Sequence, residues 1–395
     1  MKTTIPTRAR QTCVFVFACL LFFFLLTGPL AAEDGGDPYN TGMINGKPFR
    51  FGQDDLNSRT VCLTVFSEGE ARDLLRFRQD EKVYVASLTK LMTGYSAYLL
   101  LEEKGKDLDD KATVQAGDLE GLAALNASIA GFQAGERVSF RDLFYGLMLS
   151  SGCDAANTLA RESAGSISAF VERMNQDARD LGLSDSSFAN TTGLFHADYV
   201  SSSRDMTQLL KAVREIDFLR LVLESRYYTS EGTEAHPHGI SMVHYLSIYG
   251  SDSGVDTKII DGGKTGQIRQ AGYCLASFKQ IGDLVFYLST TGAESQSGHV
   301  SDHAAIYQAL LDQLPAEGEI EITGIGDKLA LNPAPGETGE DVPGEDPEEQ
   351  PESPLTAITV VFLALLIALV LALLITSLIR RRMDEEADEK KGKKS

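Results

Sequence analysis

The sequence is short of cysteine and of positive charge. Among 395 residues there are five cysteines, and Cys13 and Cys19 fall in an N-terminal apolar run. Cys62, Cys153 and Cys274 remain, an odd and sparse set that excludes a disulfide framework. No structural disulfide is expected. Lys and Arg number 36 against 56 Asp and Glu, a formal net charge of -20. Phosphate backbones are bound by clustered Lys and Arg, so a nucleic-acid partner is excluded. No internal repeat is visible. His236, His238 and His244 lie close together but without a His-Glu-x-x-His pair, so they read as surface loop residues rather than a metal site. Gly263-Lys264-Thr265 mimics the end of a phosphate loop, but that loop needs a glycine at position 258, where the chain has Lys258. No nucleotide, metal or other cofactor is expected.

Long apolar runs occur at both ends. Lys2, Arg8 and Arg10 precede the run 13–26, which has signal-peptide length. Ala31-Ala32 supplies small residues for cleavage, so residues 1–32 read as a signal peptide, with an uncleaved anchor as the alternative. Residues 355–379 are apolar and uncharged, long enough to span a bilayer with some tilt. Arg380-Arg381-Arg382 follow, and residues 380–395 form a basic tail that the positive-inside rule places in the cytoplasm. Residues 315–354 are rich in Pro, Glu, Gly and Asp and read as an extended acidic stalk. The expected protein is a single-pass cell-membrane protein whose body, residues 33–314, lies outside the cytoplasm.

The body begins with a hairpin pattern, strands near 60–66 and 74–78. Leu88, Leu91, Met92, Tyr95 and Leu99 then recur at helical spacing. Segments 139–149, 167–181 and 206–214 are amphipathic. Strand-like runs follow at 272–278 and 284–290, and a helix at 304–314. Strands at both ends with helices between predict an α/β (α+β) domain: an antiparallel sheet flanked by helices, with an inserted helical lobe. A cleft between sheet and lobe is the natural site.

Three short motifs carry chemistry. Ser87 and Lys90, three apart at a helix start, share a face. Alone such a pair is usually a solvated surface feature; here it opens an apolar helix. A serine nucleophile needs a base, and a buried lysine with a second cation nearby is pushed toward its neutral form. Lys264 can be that cation. Ser151, in Ser151-Gly152-Cys153, can relay a proton to a leaving amine. Lys264 and Thr265 can hold a substrate carboxylate, and Gly266 lets the substrate backbone approach closely. In this order the motifs point to an acyl-serine enzyme acting on a peptide or a β-lactam.

Several stretches together resemble one family. These are Ala86 to Thr93, Gln133 to Glu136, Asp142 to Asn157, Asn190 to Leu194 with Ser202 to Met206, and Gly263 to Gly266 with Ala271 to Leu275. They are similar to the low-molecular-weight penicillin-binding proteins, the serine-type D-alanyl-D-alanine carboxypeptidases with a β-lactamase/transpeptidase-like fold. The resemblance covers roughly residues 48–314. It implies that Ser87 attacks the carbonyl between the two terminal D-alanines of a peptidoglycan stem peptide, that Lys90 is the acylation base, and that penicillins acylate Ser87. It also implies an oxyanion hole from the Ser87 and Gln267 backbone amides. Two positions depart from the family pattern. Cys153 stands where an asparagine usually helps bind the substrate amide, and His299 falls where an arginine often binds the terminal carboxylate. A small β-rich domain that commonly follows is replaced by the stalk and span. Asn190-Thr191-Thr192 also fits a glycosylation pattern and is expected to stay unmodified. The alternatives are a penicillin-binding sensor or degenerate wall-binding module, and a serine β-lactamase. The last needs a deacylating glutamate that 186–190 lacks.

Overall fold

The computed structural model describes residues 40–51, 55–67, 70–314 and 320–325. The signal peptide, most of the stalk, the apolar run 355–379 and the basic tail lie outside the described residues. Among the described residues no helix is long and apolar enough to cross a membrane.

The chain opens with three short strands, β1 (Asn40–Thr41), β2 (Met43–Ile44) and β3 (Lys47–Pro48). A hairpin follows, β4 (Thr60–Ser67) and β5 (Glu70–Phe77). A 3-10 turn, Ala86–Leu88, runs directly into helix α1 (Thr89–Glu103). Strands β6 (Lys111–Thr113) and β7 (Arg137–Ser139) lead to the lobe helices α2 (Phe140–Met148), α3 (Cys153–Ala164), α4 (Ile167–Asp180), α5 (Ser203–Glu215) and α6 (Asp217–Glu224). A small hairpin, β8 (Tyr227–Thr229) and β9 (Ser241–Val243), precedes α7 (Tyr245–Ser253). The chain then forms β10 (Gly262–Ile268), β11 (Gly272–Ile281), β12 (Leu284–Ala293), α8 (Gly298–Gln313) and β13 (Ile322–Thr323).

The main sheet has the order β1-β5-β4-β12-β11-β10, and every neighbouring pair is antiparallel. The expected α/β class with an antiparallel sheet and a helical lobe is what the chain forms. Alternation along β4, β11 and β12 sends side chains to two faces, and both faces are covered. One buries Val61, Leu63, Leu275, Phe286 and Leu288 with Val300, Ile306 and Leu310 of α8. The other packs Cys274, Ala276 and Phe278 against the lobe.

Two expectations change. The apolar stripe predicted for α1 understates its burial. Lys90, Thr93, Ser96 and Ala97 are buried together with Leu91 and Met92, because helices of the lobe surround its first turns. The acidic stalk does not leave the body at residue 315. Ile322 and Thr323 pair with Ile44 and Met43, and the Ile325 amide donates to the Asp73 carbonyl at 2.9 Å. The chain is therefore held to the body through residue 325. Cys62, Cys153 and Cys274 are free and buried.

Candidate active site

Ser87 sits in the 3-10 turn ahead of α1. The turn is bent by Ala86, whose φ of 49° is a left-handed conformation uncommon for a residue with a β-carbon. It is pinned from behind by Tyr199. That buried hydroxyl donates to the Ala86 carbonyl at 3.0 Å and accepts from Thr89 Oγ1 at 2.5 Å.

Lys90 is fully buried one helical turn on. Its Nζ lies 3.1 Å from Ser87 Oγ, 3.5 Å from Cys153 Sγ and 2.7 Å from the Thr192 carbonyl. These three groups fix the nitrogen beside the Ser87 hydroxyl. The carbonyl is delivered by a loop that Asn190 builds. Asn190 Oδ1 accepts from the amides of Thr192 (3.0 Å) and Gly193 (2.7 Å), and Nδ2 donates to the Leu194 carbonyl at 2.9 Å. Gly193, at φ 77°, packs so closely on Ala86 that a β-carbon there would overlap its carbonyl. Asn190 is thus an internal scaffold of the site. The Thr192 carbonyl, which no side-chain motif announces, is a partner of the base that the sequence reading missed.

Ser151 lies on the turn before α3, with φ 53°. Its Oγ is buried and has no hydrogen-bond partner, so a donor and acceptor stand ready for a substrate atom. Asp154, in the first turn of α3, fixes the facing loop: its carboxylate accepts from the amides of Ala130, Gly131 and Phe132 at 2.8–3.1 Å.

Lys264, Thr265 and Gly266 lie inside edge strand β10. Lys264 is buried and donates to the Thr265 carbonyl at 2.8 Å. Burial, and then the neighbouring Lys90 charge, hold its pKa well below the ordinary lysine range. The expectation that Lys264 supplies a nearby cation is thus not what its burial favours. Gly266 also has a reason beyond the predicted one. A β-carbon there would stand 2.9 Å from the Val85 carbonyl and 3.0 Å from the Ser87 amide nitrogen. The glycine makes room for the nucleophile turn itself.

Ser87, Ser151, Thr265, Gly266 and Gln267 line one cavity of about 240 Å³ together with Asn126, Ser128, Tyr245 and Tyr249. All these lining residues are uncharged. A larger cavity of about 690 Å³ between segments 133–137 and 231–235 holds none of Ser87, Lys90, Ser151, Lys264 and Thr265; chemistry rather than size identifies the site.

His299 is not brought into the cleft. It is fully buried in the first turn of α8, stacked on Tyr273 at 5.4 Å and edge-on to Tyr249 at 5.0 Å. Both of its ring nitrogens lack a partner. Burial pushes its pKa down to about 4. His244 is not a surface loop residue either. It is buried, its Nδ1 accepts from the Leu246 amide at 3.0 Å, and its Nε2 meets the Gly263 carbonyl at 2.9 Å. Burial, with Lys264 and Arg226 nearby, pushes its pKa down to about 3. Among the described residues no group of three His, Cys, Asp or Glu is placed to hold a metal ion.

Residues 62–293 match a family model described as D-alanyl-D-alanine carboxypeptidase. The chain is 30% identical over 217 residues to the D-alanyl-D-alanine carboxypeptidase of Streptomyces sp. (strain K15), covering 53% of this chain and 73% of that one. It is 29% identical over 234 residues to the D-alanyl-D-alanine carboxypeptidase DacF of Bacillus subtilis, covering 58% of this chain and 56% of DacF. The fold is similar to the crystal structure of the Streptomyces K15 DD-transpeptidase, with a TM-score of 0.58 and 26% identity over 66% of this chain and 100% of that one. Solved variants of that transpeptidase replace a serine and, two residues on, a cysteine, the spacing of Ser151 and Cys153 here.

Proposed function

The chain belongs to the D-alanyl-D-alanine carboxypeptidase family of serine peptidases, and on that premise we propose that it removes the terminal D-alanine from peptidoglycan stem peptides through an acyl-Ser87 intermediate. The observation that carries this reading is the contact of Lys90 Nζ with Ser87 Oγ, 3.1 Å, inside a cleft that also holds Ser151, Thr265 and Gln267.

The terminal carboxylate rests on Thr265, with Lys264 behind it. With Lys90 in its neutral amine form, Ser87 Oγ attacks the carbonyl carbon of the penultimate D-alanine while its proton passes to the Nζ lone pair. The amides of Ser87 and Gln267 take the developing oxyanion; the tight seat of Gly266 on the Ser87 turn supports this pairing. The C–N bond then breaks, and the departing D-alanine nitrogen takes back the proton held on Lys90 by way of Ser151 Oγ, whose free valences suit a relay. Water hydrolyses the ester and returns Ser87. Penicillins acylate the same oxygen. Among the described residues no carboxylate lines the cleft, so no such side chain there activates water against the bulky acyl group, and a penicilloyl-enzyme turns over slowly.

Export by the signal peptide (1–32), tethering by a C-terminal helix (355–379) and a single-pass location with the catalytic domain outside the cytoplasm complete the proposal. They rest on the apolar runs and their flanking charges. The acidic segment after residue 325 is the spacer.

The test is D-alanine release from a pentapeptide ending in D-Ala-D-Ala. Release together with slow turnover of benzylpenicillin is expected. Penicillin labelling with no D-alanine release favours a sensor, and rapid benzylpenicillin hydrolysis favours a β-lactamase.

A further inference from the structure

We propose that Tyr249 is a specificity-determining residue: its ring walls the leaving-group end of the cleft and limits the terminal residue of the substrate to a small D-amino acid. The inference rests on the carboxypeptidase reading, since it names what that site accepts.

Helix α7 places Tyr245 and Tyr249 four residues apart on one face, with ring centroids 5.7 Å apart. Both line the cavity that holds Ser87, Thr265 and Gln267. They stand on the β10 side, while Asn126, Ser128 and Ser151 come from the lobe side. A terminal carboxylate on Thr265 therefore puts the last Cα, and the side chain it bears, against the tyrosine face.

The wall has no room to yield. Behind Tyr249 lie the edge-on rings of His299 at 5.0 Å and Tyr273 at 6.1 Å, and those two stack on each other at 5.4 Å. His299 is fully buried and Tyr273 belongs to β11, the strand paired with β10. Close-packed rings transmit a push instead of absorbing it. The wall is also fixed in register with the catalytic strand. His244 caps α7 through the Leu246 amide and reaches the carbonyl of Gly263, the residue before Lys264. Helix and strand thus hold a constant spacing. On this proposal the site accepts a terminal methyl group, and a longer side chain such as isobutyl is turned away by the ring.

Two stem peptides that differ only in the last residue, D-Ala or D-Leu, test this, with release of the terminal amino acid as the readout. The wild-type protein is expected to favour D-Ala in kcat/KM by at least about tenfold, the scale set by extra methylenes in a closed pocket. In Tyr249→Ala that preference narrows at least about tenfold, through a gain on the D-Leu peptide. In Tyr249→Phe it stays at the wild-type value, because the ring and not the hydroxyl is the wall. Tyr249→Leu provides a second shortened variant, and the rate of fluorescent penicillin acylation shows that each variant has kept its site. D-Ala release with an unchanged preference in both shortened variants overturns the wall alone. Penicillin acylation with neither amino acid released by the wild type overturns the carboxypeptidase reading and the wall with it.

Discussion

Gly266 sits against the nucleophile turn so closely that a β-carbon on it would stand 3.0 Å from the amide nitrogen of Ser87. The strand that carries the carboxylate-binding residues and the turn that carries the nucleophile are therefore seated on one another, with a glycine as the only spacer that fits. The distance between Thr265 and Ser87 is fixed by backbone packing.

Gly266→Ala follows directly. The methyl group pushes β10 from the turn, at a cost of about 1–3 kcal/mol in stability. A shift of an ångström at the reacting atoms costs about 100-fold in rate. Fluorescent penicillin acylation and a thermal melt check both numbers. An acylation rate within a factor of three of wild type (a ceiling of about 0.7 kcal/mol) contradicts the contact.

Asn190→Ala should disable the base from a distance. The amide group closes the loop that presents the Thr192 carbonyl to Lys90 at 2.7 Å. Without it the loop loses hydrogen bonds worth about 1–3 kcal/mol, and Lys90 loses its shortest contact. The expected result is a fall in kcat of about 10–100-fold with KM nearly unchanged. A change confined to KM would place Asn190 in substrate binding instead.

Much of this was legible in the sequence, and the rest had physical reasons to be hidden. Ser87, Lys90, Ser151 and Thr265 could be singled out because their chemistry is in the side chain and the motif spacing is short, and the fold brings them together. The Thr192 carbonyl was missed because a backbone acceptor has no residue type. Gly266 was singled out for the approach of a substrate, and the structure adds the Ser87 turn as a second neighbour, because sequence marks a need for closeness but does not name the partner. His244 and His299 were misjudged because burial of an imidazole is decided by elements distant in the chain. His244 meets β10, and His299 meets Tyr249 of α7 and Tyr273 of β11. The return of residues 320–325 to the body escaped notice because a two-residue strand leaves no periodicity to read.

Cys153 meets Lys90 at 3.5 Å through a thiol, the longest and weakest of the three contacts. Cys153→Ala should therefore lower penicillin acylation by less than about tenfold, since loss of a weak hydrogen bond is worth under 1.4 kcal/mol. Cys153→Asn restores a strong acceptor and is expected to leave acylation at or above the wild-type rate. A Cys153→Ala protein that no longer acylates would make the thiol essential.

His299→Phe separates structure from binding. Burial pushes the His299 pKa down to about 4, against about 6.5 in an unfolded chain. Between those values only the unfolded chain takes up the proton, so stability falls as pH drops from about 6.5 toward 4. His244, pushed down to about 3, adds to the same loss. Replacing an imidazole that has no partners by a ring of similar shape is neutral or stabilising. Urea melts at pH 7 and pH 5 should show a smaller acid loss in His299→Phe than in wild type. KM for a D-Ala-D-Ala peptide should not change. A tenfold rise in KM (about 1.4 kcal/mol) would return His299 to the carboxylate site.

The central claim is that Ser87 carries the acyl group. Peptide mapping by mass spectrometry after incubation with benzylpenicillin tests it most directly. The account predicts one penicilloyl adduct, on the peptide containing Ser87, absent from Ser87→Ala and formed far more slowly in Lys90→Ala. An adduct on Ser151, or an adduct that persists in Ser87→Ala, would contradict it.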